Sequence, residues 1–174
     1  TLAARYHDLG KRREVWQRAI GNPDPSQPLA KSGRGTLVAA LMPYRHELGS
    51  LYDLQQQPDF QALPLEMQDV VCHLVAAHHG RGRPQFAPAE IFDPERFPAE
   101  VEAIALETPR RFARLQRQFG RWGLAYLESL LKAADYAASA SPSTYLHSGS
   151  QSGDLSIEGS WENGESVSSP DSIS

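Results

Sequence analysis

The stretch "PLEMQDVVCHLVAAHHG", residues 64–80, carries the clearest helical pattern in the chain. Pro64 fits the first turn of a helix, and Gly80 fits its end. Its apolar residues repeat at the spacing of one helix face: Met67, Val70, Val71, Leu74 and Val75. His78 follows Leu74 by four residues, so its imidazole shares that face. The segment therefore predicts a helix that packs into a core and carries a histidine at its buried end.

Helical patterns continue on both sides of this segment. We expect short helices at 2–9 and 14–20, a helix or helix pair at 37–57 interrupted near Pro43, and a long helix at 109–139 that bends near Gly120 or Gly123. The apolar side of the long helix is predicted to hold Phe112, Leu115, Phe119, Trp122, Tyr126, Leu127, Leu130 and Leu131. Residues 22–35 and 80–100 are rich in turn-forming residues. Because no run alternates apolar and β-branched residues, the predicted fold class is all-α.

Length and charge bound the organisation of the chain. Its 174 residues fit one domain, predicted at 1–140, and the Ser-rich acidic segment 141–174 is predicted to be a disordered tail. Residues 151–174 contain five acidic residues and no Lys or Arg, which leaves 17 basic and 16 acidic residues in 1–150. Affinity for phosphate must therefore come from local patches.

Cysteine content and hydropathy narrow the class of protein to which this chain can belong. The single cysteine, Cys72, excludes a disulfide framework within this chain and a zinc cluster of thiolates. The sequence has no apolar run of membrane-span length and no charged-then-apolar leader, so we expect a cytoplasmic protein without membrane contact.

Residues that can bind metals recur at four places along the predicted helices. They are His7 and Asp8 in "HDLGK", His46 in "YRHEL", His78 and His79 in "AAHHG", and Asp135 in "LKAADYAAS". Each has a simpler explanation, since one histidine on an apolar face is usually a core residue and a lone His46 would be a surface or capping residue. Asp135 follows Leu131 by four residues, so it points from the apolar face and needs a cationic partner, either an arginine or a metal.

Two other histidines are left out of this set. His73 precedes His78 by five residues and falls about 140° away around the helix, and His147 lies in the predicted tail.

Mixed imidazole and carboxylate ligands suit first-row transition metals, and a carboxylate can bridge two of them. Two such metals are a common solution for phosphodiester hydrolysis, because one activates water and both hold the displacement in line.

Taken in order, "HDLGK", "RHEL", "AAHHG" and "LKAADYAAS" resemble the HD superfamily of metal-dependent phosphohydrolases. The adjacent histidines and the "ADYAAS" segment make the chain most similar to the HD nuclease domain of the CRISPR type I effector helicase-nuclease. The resemblance covers about residues 1–140. It implies an all-α HD-domain helical bundle with two divalent transition metals, Mn, Ni, Co or Fe, that degrades single-stranded DNA in antiviral defence.

The same resemblance implies roles for individual residues and partners. Asp8 would bridge the metals, with His46, His78 and His79 completing the ligands of one and His7 and Asp135 those of the other. Lys11 would bind a phosphate, or it is simply a solvated lysine after a glycine turn. The implied partners are single-stranded DNA, a helicase module elsewhere in the full-length chain, and a CRISPR effector complex.

One departure from the family pattern bears on activity. The family has a further histidine on a helix upstream of the HD pair, and no histidine precedes His7 here. We therefore expect the domain to be truncated at its N-terminal side and one metal site to be incomplete. Two other functions stay open: an HD-type nucleotide or cyclic-nucleotide phosphohydrolase, which needs a closed pocket for one base, and a catalytically impaired HD scaffold domain.

Arginines beside glycines provide two candidate contacts for a DNA backbone, at 33–35 and at 80–83. The second directly follows the histidine pair, although both are also typical of flexible surface loops. A further run of arginines on the long helix is either a solvated face or a DNA track: Arg110, Arg111, Arg114, Arg117 and Arg121.

Overall fold

A computed structural model describes residues 2–30 and 43–140. In chain order these residues form six α-helices: α1 Leu2–Tyr6, α2 Glu14–Ala19, α3 His46–Leu54, α4 Pro58–Gln61, α5 Leu65–Ala77 and α6 Pro98–Ala140. Two 3-10 turns lie at Leu9–Arg12 and Pro88–Glu90. No strand occurs in these two ranges, so the all-α prediction is confirmed. The predicted tail, His147 and the 33–35 turn lie outside the described residues.

Helices α3 and α5 form the centre of the core. Leu48, Leu51 and Leu54 recur along one face of α3 and are at most 2% exposed. Val75 of α5 is fully buried against the same cluster. Full burial of each such side chain contributes about 1.5–3 kcal/mol to the free energy of unfolding. These two helices consequently hold their ends, which carry His46 and His78, in fixed relative positions.

The 3-10 turn Leu9–Arg12 packs directly on the first turn of α3. A Cβ added to Gly10 would lie 2.1 Å from the carbonyl oxygen of His46, so only glycine fits this close approach. The backbone of Gly10 donates a hydrogen bond to Ser50 Oγ at 2.8 Å. Its carbonyl accepts one from the hydroxyl of Tyr44 at 2.6 Å. The "HDLGK" segment is thereby fixed against the "RHEL" segment.

Several predicted helix limits differ from the structure. The first helix ends at Tyr6 and not near residue 9, because the chain turns at Asp8 before the 3-10 turn begins. The long helix begins at Pro98 and not at Pro109. Pro98 fits the first turn equally well, and Val101 and Ala105 of the added turns are buried. Pro109 lies inside the helix and costs it one backbone hydrogen bond.

Gly120 interrupts helix α6 with φ +68° and ψ 176°, a conformation accessible essentially to glycine alone. The predicted bend near this residue is therefore confirmed. The predicted apolar face is wrong in part, since Trp122, Tyr126 and Leu130 are 89%, 63% and 49% exposed. After the interruption, the buried face of α6 is set by Leu124 and Leu131 instead. Met67 of α5, also predicted for the core, is 48% exposed.

The arginine run on α6 is neither a uniform solvated face nor a continuous track. Arg111 is buried, and both it and Arg114 bind the carboxylate of Asp69 on α5. Burial acts to raise the pKa of Asp69, but Arg114 and Arg111 outweigh it and hold that pKa below its ordinary value. These arginines therefore fasten α6 to α5. None of the described helices is long and apolar enough to span a membrane.

Candidate metal centre

The predicted metal ligands converge where four segments of the chain meet. His7 and Asp8 lie between α1 and the 3-10 turn, and His46 is the first residue of α3. His78 and His79 follow the end of α5, and Asp135 lies in the last turns of α6. The donor atoms of His46, His78 and His79 lie within 4.8 Å of one another, and so do those of His7, Asp8 and His78.

Asp8 lies between these two groups and uses its oxygens differently. Oδ2 accepts a hydrogen bond from Lys11 Nζ at 2.7 Å and lies 3.5 Å from His7 Nε2. Oδ1 is buried without a hydrogen-bond partner, 3.5 Å from His46 Nε2 and 3.8 Å from His78 Nε2. Burial acts to raise the pKa of Asp8, but Lys11 and His7 outweigh it and lower that pKa. The carboxylate is therefore ionised, with one oxygen left for a cation.

Backbone carbonyls fix the orientation of two imidazoles. His7 Nδ1 lies 2.9 Å from the carbonyl oxygen of Ala4, and His78 Nδ1 lies 2.7 Å from that of Val75. Since a carbonyl only accepts hydrogen bonds, each Nδ1 carries a proton, which leaves Nε2 as the ring atom that can bind a metal. Both Nε2 atoms face Asp8. In metal sites, a hydrogen bond at one ring nitrogen commonly orients the other nitrogen toward the ion.

His46 contacts the cluster through Nε2, which lies 3.3 Å from His78 Nε2. Its Nδ1 lies 3.4 Å from the buried Oε2 of Glu47. The indole of Trp16 packs edge-on at 5.1 Å between ring centroids. Burial, the Lys11 ammonium and neighbouring imidazoles lower the pKa of His46 well below its ordinary value, and burial lowers that of His78 to about 4. At neutral pH both rings are unprotonated and able to bind a metal.

His79 and Asp135 complete the cluster from its open side. His79 is exposed, and its ring lies 4.1 Å from that of His78 between centroids. Asp135 Oδ1 lies 3.3 Å from His7 Nε2, with 34% of the side chain exposed. The expectation that Asp135 points toward the core is correct in direction, but its carboxylate reaches the edge of the core and its partner is a histidine of the cluster. Within residues 2–30 and 43–140 no arginine pairs with Asp135.

Only one of the two predictions made for Lys11, a solvated lysine after a glycine turn, is wrong. Its side chain is not solvated, with 11% exposed, because it bends over the Trp16 ring at 5.3 Å and bonds Asp8. The predicted phosphate contact of Lys11 stays a prediction, and it would be made by an ammonium that Asp8 already holds at the cluster.

The geometry of the cluster fits a divalent transition metal. Imidazole nitrogens bind such ions at about 2.1 Å, so donor atoms around one ion lie about 3.0–3.5 Å apart. The pairs that join His46, His78 and Asp8 are separated by 3.3–3.8 Å. A buried oxygen without a hydrogen bond costs about 1–3 kcal/mol, and a cation at Asp8 Oδ1 would remove that cost.

Sequence reasoning missed the residues that support the ligands. Glu47 directly follows His46 in "RHEL", and an acidic residue at the start of an apolar helix, beside a candidate ligand, was the available signal. Trp16 had no signal, because its contact with His46 depends on how α2 returns over α3. His73, which was excluded on helix geometry, indeed lies apart and bonds Glu128 at 2.8 Å.

Comparisons of this chain with models of known protein families, with curated proteins and with solved structures found no match.

Proposed function

We propose that this chain is a metal-dependent phosphodiesterase of the HD type that hydrolyses single-stranded DNA. The observation that carries the proposal is the buried, unpartnered Oδ1 of Asp8, faced by the Nε2 atoms of His46 and His78. A structural cluster would satisfy this oxygen with a hydrogen bond, whereas a metal centre leaves it free for the ion.

The chain's own residues divide the work. His46, His78 and His79 would hold one ion, and His7 and Asp135 would contribute to the second, with Asp8 between them. Ions held there would supply Lewis-acid activation of water and of the phosphoryl oxygens. Lys11 keeps Asp8 ionised and places an ammonium 2.7 Å from it, where it also attracts a phosphate.

The choice of single-stranded DNA and of partners rests on the order of the four motifs. That order supports a nuclease that acts beside a helicase module and a CRISPR effector complex in the cytoplasm. The metals we propose are Mn, Ni, Co or Fe, because imidazole and carboxylate ligands suit them.

The test is degradation of an end-labelled single-stranded DNA by the purified chain with Mn²⁺ or Ni²⁺. EDTA and Asp8→Asn are both expected to abolish cleavage. Asp24→Asn, the same change at an exposed loop residue, is the matched control and should cleave like the wild type. A mononucleotide and a cyclic nucleotide are assayed in parallel.

Metal binding is measured in the same preparations by calorimetry. Hydrolysis of the nucleotides and not of DNA would replace the nuclease by a nucleotide phosphohydrolase. Metal binding without turnover of any of these substrates would replace it by a scaffold domain. Failure to bind any of the metals, together with unchanged behaviour of Asp8→Asn, would overturn the metal centre itself.

A further inference from the structure

A cavity of about 400 Å³ opens directly beside the metal cluster. His78 and His79 form one wall, and Arg83 forms part of the rim. The opposite wall is α6, through Ala125, Glu128, Ser129 and Lys132. The cavity therefore leads from the candidate ligands to the surface along the second segment of α6, and the function proposed above assigns no role to that surface.

The fixed charges of this cavity favour an anion. Glu128 accepts hydrogen bonds from His73 Nε2 and from Arg83 Nε, both at 2.8 Å, so its charge is compensated. Arg83 is 37% exposed and uses one of its five donors in that bond. Lys132 is exposed and forms no ion pair with any residue in the described ranges. Lys132 thus remains as an uncompensated charge, and Arg83 keeps further N–H donors with which to bind a phosphate.

The α6 wall belongs to a stripe with aromatic ends. Residues 122, 125, 129, 132 and 136 follow one another at alternating spacings of three and four, which places them on one helix face. Trp122 and Tyr136 end the stripe and are 89% and 69% exposed, with Tyr126 beside it at 63%. At 1.5 Å per residue the stripe spans roughly 20 Å. Its centre is small or cationic, and its ends are flat rings.

We propose that this stripe is the track for a single-stranded nucleic acid, with phosphates at Arg83 and Lys132 and unpaired bases stacked on Trp122 and Tyr126. The inference rests on the proposed function for its direction, because the track leads to the metal cluster. Exposed aromatic rings beside cations are the combination that binds single strands without sequence preference. A duplex keeps its bases stacked inside, and one mononucleotide cannot reach both the cluster and Trp122.

Charge also separates this occupant from a protein partner. Arg121, next to Trp122, is exposed and forms no ion pair within the part of the chain that the structure describes. The acidic residues between positions 121 and 140 are Glu128 and Asp135. Glu128 already contacts Arg83, and Asp135 contacts the imidazole of His7. The free charge along the stripe is thus positive, which complements a phosphate backbone.

The test is binding of a fluorescein-labelled oligo-dT of about twelve nucleotides, measured by anisotropy in EDTA so that hydrolysis plays no part. Trp122→Ala is expected to weaken binding about 5- to 150-fold, the loss of one base stack. Lys132→Gln is expected to weaken it and to reduce the slope of log Kd against log salt by about 0.7, the loss of one phosphate contact. A duplex and dTMP should compete poorly.

Two matched variants control for exposure and charge. Phe97→Ala removes an aromatic ring that is 77% exposed and outside the cavity, and Arg110→Gln removes an exposed cation that does not line it. Both should bind like the wild type, and thermal unfolding should be unchanged in all four. The track would be overturned if the wild type did not bind the oligonucleotide. It would also be overturned if Trp122→Ala and Lys132→Gln both bound as tightly as the wild type. Binding that these two variants weaken, without cleavage under any metal, would uphold the track and reject the nuclease.

Discussion

Replacing Gly10 by alanine tests whether the contact between "HDLGK" and "RHEL" assembles the candidate metal centre. The new Cβ would lie 2.1 Å from the His46 carbonyl oxygen and 2.8 Å from the Ser50 amide nitrogen. Carbon and oxygen atoms approach to about 3.3 Å at closest. The two segments must therefore separate by roughly 1 Å, with Asp8 on one side and His46 on the other.

The cost follows from the contacts that this separation breaks. Forcing a methyl group into a packed site costs about 1–3 kcal/mol. The hydrogen bonds of Gly10 with Ser50 and Tyr44 contribute about 1 kcal/mol each. We expect Gly10→Ala to lower the free energy of unfolding by about 3–5 kcal/mol, a shift of roughly 6–20 °C in Tm.

Urea unfolding of the metal-free protein measures this loss, and calorimetric titration with Mn²⁺ measures the effect on the centre, where affinity should fall. Gly123→Ala is the matched control, since its Cβ meets only Phe119 Cβ, at 3.3 Å, and alanine favours the helix by up to about 1 kcal/mol. Gly123→Ala should therefore change the free energy of unfolding by no more than about 1 kcal/mol in either direction, far less than Gly10→Ala. Gly10→Ala within 1 kcal/mol of the wild type, with full metal affinity, would refute this account of how the centre is assembled.

Three further predictions address the centre, the α5–α6 contact and the core. Mn²⁺ or Ni²⁺ at one hundred times its Kd should raise the free energy of unfolding of the wild type by about 2.7 kcal/mol, measured by thermal unfolding. Asp8→Asn should lose this stabilisation. If the variant kept it, the ion would bind elsewhere. Asp69→Asn should cost about 1–3 kcal/mol at pH 7, because buried Arg111 loses its acceptor. Since the folded pKa of Asp69 lies below the unfolded value of about 3.9, this difference should persist above that pH and shrink as pH falls below it; a difference that grows in acid would contradict the assignment. Leu51→Ala, at a fully buried site, should cost about 2–5 kcal/mol in urea unfolding, and a loss under 1 kcal/mol would contradict the packing.

Sequence reasoning located the candidate ligands because their spacing from apolar residues of the same helix indicates which face of the helix they occupy. His78 shares a face with Leu74, and Asp135 with Leu131, so both were expected on the inner side of their helices. The interruption predicted near Pro43 likewise left His46 close to the start of the next helix, α3. What joins the three helices is a close backbone approach at Gly10, for which the only local signal is the glycine itself.

The wrong assignments after Gly120 have one physical cause, namely that periodicity assumes an unbroken helix. One residue at φ +68° changes the phase of everything after it, so Trp122 and Tyr126 were assigned to the core when they are exposed. Pro109 was taken as a helix start because its ring fits that position, but Pro98 fits it too, and burial of Val101 decides between them. Burial of Lys11 depends on Trp16, which no spacing rule connects to it.

The phase set after Gly120 has a consequence for how the chain can vary in length. Leu124, Leu131 and Asp135 are separated by seven and four residues, so the leucines that hold the segment in the core also aim the carboxylate at His7. A single residue inserted between Leu131 and Asp135 would turn that carboxylate by about 100° and leave both leucines in place. The helix would keep its packing, with one candidate ligand facing elsewhere. In this part of the chain an insertion is therefore as damaging to the centre as replacing the aspartate.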